Sequence, residues 1–147
     1  MGVAWFFRLR LWTIFLVAGA QVGLVSLAQG GSLCHDFLDA IHKKPRQLEF
    51  QSCKPRTDLQ GALLEATYRV AGIHAAYVES YLSRELKLKK LKHNCCLWES
   101  TENSYRDKDG RVFMISMATE ENIITSRSQW AQIPYFYVVV QWDSQEP

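Results

Sequence analysis

The chain has 147 residues, of which 48% are hydrophobic and 12% aromatic, which is enough to bury the core of one globular domain and argues against a disordered chain. Its 17 Lys and Arg residues stand against 15 Asp and Glu residues, and Arg8 and Arg10 are the charged residues among residues 1–28. The chain from residue 29 onward is therefore formally neutral, which removes the main electrostatic support for nucleic-acid binding.

Residues 1–28 have the pattern of a secretory signal peptide. A basic start precedes an apolar run at 11–25, and Ser26 and Ala28 place small residues where signal peptidase needs them. A retained membrane anchor is the alternative, but the apolar run is shorter than the roughly 20 residues that a spanning helix needs. We expect cleavage after Ala28, contact with the membrane only before that cleavage, and an exported domain at 29–147 that is periplasmic or secreted.

The cysteine count predicts two disulfides. An even number of cysteines in a small exported domain is typical of a disulfide framework, and the chain has Cys34, Cys53, Cys95 and Cys96. A bond between the adjacent Cys95 and Cys96 would close a strained ring across one peptide bond. We therefore expect one of these two to bond Cys34 and the other to bond Cys53, in either of the two arrangements.

The same cysteines allow two other interpretations. A redox-active vicinal pair would lack the Cys-x-x-Cys spacing of the oxidoreductases. A zinc site could draw on Cys34 with His35 and on Cys95 with His93, but the spacing matches neither zinc-finger nor catalytic zinc patterns. We therefore expect structural disulfides, no bound metal and no cofactor.

The pattern of the first half of the exported domain predicts a helix followed by two strands. Apolar residues at helical spacing predict a short helix over 33–42, and alternation predicts a strand over 47–53. The segment 57–71 is ambiguous, because its first four residues match a helix capping box whereas residues 64–70 alternate without exception between apolar and polar. We predict a strand there, paired back on the preceding one as a hairpin.

In the second half, Gly72 ends that strand and an apolar stripe predicts the main helix over 74–86. Residues 108–110 form a hairpin turn signal. The remaining strands are predicted at 95–99, 111–118 and 135–142. The core is expected to contain Leu64, Ala66, Tyr68, Val70, Val78 and Leu82. The order α-β-β-α-β-β-β predicts a single α+β domain, disulfide-stapled, with its helices packed on a mostly antiparallel sheet.

One set of residues, at fixed spacings along the chain, is similar to the pattern of a known family. The set is Ala66-x-Tyr68-x-Val70-x-Gly72, Val78-Glu79, Leu91 and the motif Cys95-Cys96-x-Trp98-Glu99. It resembles a family of small exported bacterial proteins of unknown function, from which Leu97 departs because glycine is expected there. The resemblance implies a bacterial exported domain with a structural set of cysteines, and it carries no activity.

Two groups of side chains are candidates for binding a partner. The basic group is Lys87, Lys89, Lys90 and Lys92. These lysines suit an anionic partner, although a solvated sheet edge with leucines tucked beneath it is the simpler explanation. The aromatic group is Trp130, Tyr135 and Tyr137. Aromatic side chains of this kind either line a binding surface or pack within the fold.

The function that fits these observations best is binding rather than catalysis. The chain contains no Gly-x-Ser-x-Gly, no His-Glu-x-x-His and no glycine-rich phosphate loop, so no catalytic residue is assigned. We predict a small exported, disulfide-bonded protein that binds a protein partner in the cell envelope, as an inhibitor or an immunity-type protein does. The alternative is an envelope enzyme or redox factor that uses His or Cys residues.

Overall fold

The computed structural model describes residues 34–56 and 63–144, so the predicted signal peptide at 1–28 lies outside the described residues. In chain order the elements are α1 (Phe37–Ala40), β1 (Glu49–Pro55), β2 (Leu63–Ala71), α2 (Gly72–Leu86), β3 (Lys92–Asn94), β4 (Leu97–Glu99), β5 (Asn103–Arg106), β6 (Val112–Thr119), a 3₁₀ helix (Arg127–Gln132) and β7 (Tyr135–Asp143). None of these helices is long and apolar enough to cross a membrane.

The seven strands form one antiparallel sheet. The strand order is β1-β2-β7-β6-β4-β3. Strand β5 also pairs with β6, at residues 112–115, whereas β4 pairs with β6 at Ala118. The long strands β2, β7 and β6 form the centre, where Ala66 lies opposite Val140 and Val140 lies opposite Ile115. This order puts β1 at one edge of the sheet and the β3–β4 hairpin at the other.

The core lies on one face of the central strands, because their side chains alternate between buried and half-exposed. The buried apolar residues of these strands are Leu64, Ala66, Tyr68, Val70, Phe113, Ile115, Met117, Phe136, Val138 and Val140. The opposite face is partly open to solvent, as is common for antiparallel sheets. The predicted core positions on the second strand are therefore confirmed.

Helix α2 follows β2 directly and buries one stripe. Ala75, Val78, Leu82 and Leu86 are each inaccessible to solvent, which confirms Val78 and Leu82 as core residues. The helix ends where Lys87 adopts a left-handed conformation with φ 64°, and the Leu88 N–H donates to the Leu82 carbonyl at 3.3 Å. Its most extensive packing is against the 3₁₀ helix rather than against a strand.

The predicted α+β architecture is wrong. The sheet dominates, with seven strands where five were expected, and the helices are few and short. Among the described residues 34–42 of the predicted helix over 33–42, only Phe37–Ala40 is helical, since Asp36 caps its start and His42, at φ 56°, lies beyond its end. A pair of helices flanking the sheet is therefore absent from the described residues.

Several local predictions are confirmed and two strands were missed. Residues 63–71 form a strand that pairs with β1, and the turn signal at 108–110 separates β5 from β6, with Gly110 at φ 87°. The capping-box residues fall in 57–62, outside the described residues. Strands β3 and β5 were missed because they have three and four residues and lack an apolar alternation.

Candidate functional site

A groove of about 560 Å³ lies at the β3 edge of the sheet. Its walls come from the segment after α2, from the β3–β4 hairpin and from the two residues that follow β4. The lining residues are Lys89, Lys90, Lys92, His93, Asn94, Glu99, Ser100 and Thr101. Most of these side chains carry a positive charge or hydrogen-bond donors, so the groove suits an anionic group.

The lysines reach the groove because leucines hold the segment beneath them. Leu88 and Leu91 are 3% and 2% exposed, whereas Lys89, Lys90 and Lys92 are exposed. Three of the four predicted lysines therefore line the groove. Lys87 does not line it, since this residue forms the left-handed end of α2.

A buried carboxylate fixes this segment from below. Glu79 on α2 is 2% exposed and accepts two hydrogen bonds from the Arg127 guanidinium, at 2.9 and 3.0 Å. It also accepts the Leu91 N–H at 2.7 Å and lies 3.3 Å from the Lys90 ammonium. The Arg127 guanidinium in turn donates to the Leu91 carbonyl. The backbone of the lysine segment is thus tied to both α2 and the 3₁₀ helix.

The pKa of Glu79 reflects two opposing effects. Burial by itself raises the pKa of this carboxyl group, but the hydrogen bonds from Arg127 and Leu91 and the charges of Arg127 and Lys90 outweigh it, and the pKa is lowered. Arg127 already balances the negative charge of the Glu79 carboxylate. The positive charge of Lys90 is therefore not cancelled, and Lys90 lines the groove.

The β3–β4 hairpin contributes further polar side chains to the groove. The Nε2 atom of His93 is buried without a hydrogen-bond partner among the described residues, and the imidazole ring stands edge-on to the Trp98 ring at 5.3 Å. Asn94 donates to the Glu99 carboxylate at 2.8 Å across the hairpin. Glu99 is therefore engaged within the wall of the groove.

The aromatic candidates are not part of this groove. Trp130 is 2% exposed in the core, with its ring 5.1 Å from Trp98 and the Arg127 guanidinium 4.5 Å above it, so its ring is inaccessible to a partner. Tyr135 and Tyr137 lie on the outer face of β7 and line a separate hollow. Tyr135 is 39% exposed and has the Arg69 guanidinium 4.7 Å from its ring centre.

The disulfide arrangement differs from both predicted pairings. Cys34 is bonded to Cys53, and Cys95 and Cys96 are free thiols. The sheet order explains the correction, because Cys53 lies on the edge strand β1 whereas Cys95 and Cys96 form the turn of the hairpin at the opposite edge. In the ranges that the structure describes, no cluster of three or more His, Cys, Asp or Glu side chains could hold a metal ion.

Sequence reasoning missed the residues that organise the groove. Glu79 and Arg127 are 48 positions apart, and neither stands out in the sequence as a buried charge. Ser100 and Thr101 follow a strand that was predicted to start earlier, and His93 was considered only as a metal ligand. The one usable signal was the alternation of lysine with leucine, which places the lysines outward.

Comparison with known proteins finds a match to one domain family over part of the chain and no activity. No curated protein and no solved structure is significantly similar to this chain. The Cys34–Cys53 disulfide is typical of proteins outside the cytoplasm. A domain-family model matches residues 26–98, which include β1, β2, α2, β3 and the start of β4. Residues 26–98 thus contain a domain of unknown function, DUF4952.

Proposed function

We propose that this protein acts by binding, and that the lysine groove receives acidic side chains of a protein partner. The observation that carries the proposal is the convergence of Lys89, Lys90 and Lys92 on one groove of about 560 Å³. Cationic side chains arranged in this way steer and hold an acidic surface.

The charge balance favours a short acidic segment over a long polyanion. Outside residues 1–28 the chain has equal numbers of basic and acidic residues, so the positive charge is local to the groove. Glu99 is paired with Asn94, and Glu79 is neutralised by Arg127, which leaves the lysine charges available. A nucleic acid would need a much more extended basic surface.

An inhibitor or immunity-type protein of the cell envelope is the form of binding that we propose. Such a protein acts by covering a site on its partner, which requires a rigid surface rather than catalytic groups. The Glu79–Arg127 pair and the buried leucines supply that rigidity, because they hold the lysine backbone between α2 and the 3₁₀ helix.

The test compares two double charge reversals of equal net charge. Lys89→Glu with Lys92→Glu alters the groove and leaves Lys90, which contacts Glu79, in place. The control, Lys54→Glu with Lys108→Glu, changes two exposed lysines that do not line the groove. Binding of each variant to an immobilised short oligo-glutamate peptide is measured over a series of salt concentrations.

We expect the groove variant to bind about tenfold to thirtyfold more weakly than the unaltered protein, because two exposed ionic contacts are lost, each contributes up to about 1 kcal/mol, and 1.4 kcal/mol is a factor of ten. The control variant should bind nearly as tightly as the unaltered protein does. Added salt should weaken the binding of the control variant and of the unaltered protein. Equal loss in the two variants, or no binding by the unaltered protein, would contradict the proposed groove.

A further inference from the structure

The two free cysteines occupy an unusual position. Asn94 and Leu97 are paired across the β3–β4 hairpin, so Cys95 and Cys96 alone form its turn. Cys95 is exposed and has a left-handed φ of 51°, a conformation that favours glycine or asparagine. A cysteine at this position is conformationally costly, and such residues are concentrated at functional sites.

The turn is held in place on its far side. The Asn122 N–H donates to the Cys96 carbonyl at 2.6 Å, and Glu121 lies close enough to act on the Cys96 thiol electrostatically. Cys95 also acts on the Cys96 thiol and raises its pKa. As the two residues of one tight turn, the cysteines are neighbours in space as well as in sequence.

The other cysteines are unavailable to this pair. The chain has four cysteines, and Cys34 and Cys53 are bonded to each other at the opposite edge of the sheet. Oxidation within one molecule can therefore join Cys95 only to Cys96, unless the existing disulfide is exchanged. The strain of a ring across one peptide bond makes such a bond easy to reduce again.

We propose that Cys95 and Cys96 are a reversible redox pair, which a small-molecule disulfide oxidises to a disulfide within the hairpin turn. The proposal is independent of the lysine groove. It gives the hairpin a dithiol form and a disulfide form, while the Cys34–Cys53 bond remains in both.

The reaction is an ordinary thiol–disulfide exchange in two steps. The exposed Cys95 thiolate attacks one sulfur of the oxidant, forms a mixed disulfide and releases the first thiol. The Cys96 thiolate then attacks the Cys95 sulfur, forms the Cys95–Cys96 bond and releases the second thiol. Two protons pass from the protein to the released thiols, and the two electrons lost by the protein reduce the oxidant.

Cys96 suits the second step rather than the first because it is half-buried, whereas Cys95 is exposed to the oxidant. The hydrogen bond with Cys95 is the main reason that the pKa of Cys96 is raised to about 11, and burial and the negative charges of Cys95 and Glu121 add to it. Conversion of Cys95 to a mixed disulfide removes both its hydrogen bond and its charge. Cys96 is then released to act as the resolving thiol.

The test follows the full exported chain with mass spectrometry. The protein is first treated with reduced glutathione and then with oxidised glutathione, after which remaining thiols are alkylated and the protein is digested without reduction. We expect a monomer that has lost two hydrogen atoms, with both Cys95 and Cys96 protected from alkylation in one peptide. Renewed exposure to reduced glutathione should restore both thiols.

Two single variants provide matched controls. Cys95→Gly suits the left-handed turn and removes one thiol, and Cys96→Ser removes the other. Each should accumulate a stable glutathione adduct instead of losing two hydrogen atoms, with an unchanged thermal unfolding curve. Persistent free thiols, stable glutathione adducts or disulfide-linked dimers of the unaltered protein would each overturn the proposal.

Discussion

At the scale of single residues, Glu79 makes more polar contacts than the charged residues around it. Its carboxylate joins Arg127 from the 3₁₀ helix, the Leu91 N–H and the Lys90 ammonium while being almost completely shielded from water. A buried carboxylate with these donors is costly to disrupt, because the buried Leu91 N–H would lose a charged acceptor and the Arg127 guanidinium would lose its counter-charge.

Glu79→Gln should therefore lower the free energy of unfolding at neutral pH. We expect about 2–4 kcal/mol, somewhat below the value for a fully buried pair because 43% of the Arg127 side chain is exposed. The difference from the unaltered protein should shrink in acid. The lowered pKa of Glu79 means that its stabilisation is complete above pH 4.5, its ordinary value, and is lost as the pH falls through the folded-state pKa. Urea denaturation over a pH series measures both effects.

Glu85→Gln is the matched control on the same helix. Glu85 pairs with Lys43 at 2.7 Å and with Arg84 at 3.1 Å, but these partners lie at the surface. Its replacement should change stability much less than that of Glu79. Equal effects of the two substitutions would show that burial of the Glu79–Arg127 pair contributes nothing to stability.

At the scale of elements, the junction between β2 and α2 depends on one glycine. Gly72 begins α2 and its N–H donates to the Pro134 carbonyl at 3.3 Å. A Cβ atom at this position would lie 2.1 Å from the carbonyl oxygens of Trp130 and Ile133. The Trp130 oxygen belongs to the backbone of the 3₁₀ helix and the Ile133 oxygen to the backbone between that helix and β7, so neither oxygen can rotate away as a side chain could.

Gly72→Ala should destabilise the protein by about 3 kcal/mol, at the upper end of what overpacking costs, even though alanine is the better helix former. Thermal and urea unfolding measure the change. His74→Ala, an exposed substitution in the same first turn, should have little effect. A neutral Gly72→Ala variant would be incompatible with this close approach of α2 to the 3₁₀ helix.

At the scale of the whole molecule, the disulfide lies at one edge of the sheet, and the lysine groove and the free thiols lie at the other edge. Cys34–Cys53 ties the segment before α1 to the edge strand β1, and the lysine groove and the free thiols flank the hairpin at the other edge. The disulfide therefore stabilises the fold without contributing to the groove.

Replacing Cys34 and Cys53 together by alanine should cost about 3 kcal/mol, as expected for a bond that closes a loop of roughly 20 residues. The corresponding fall in Tm is roughly 10 °C for a chain of this size. Cys95→Ser with Cys96→Ser should leave the Tm nearly unchanged when measured under the same conditions. If the second pair lowers the Tm as much as the first, the assigned disulfide is incorrect.

Local features, whose signal lies in neighbouring residues, were predictable from the amino-acid sequence. Strict alternation over 64–70 predicted β2 and its core face against a competing capping signal, because burial of one sheet face requires period two. The helical stripe likewise predicted the core residues of α2, and alternating lysine and leucine predicted which side chains point outward.

The contacts between these elements could not be predicted in the same way, because they depend on the three-dimensional fold. The pairing of Cys34 with Cys53, the contact of Glu79 with Arg127 and the burial of Trp130 each join residues that are remote in sequence or on different elements. Strand order sets such distances, and a single sequence does not specify strand order. The chain alone thus determined local faces and turns, whereas the sheet order determined which cysteines are bonded and which lysines line the groove, because proximity in space depends on strand pairing.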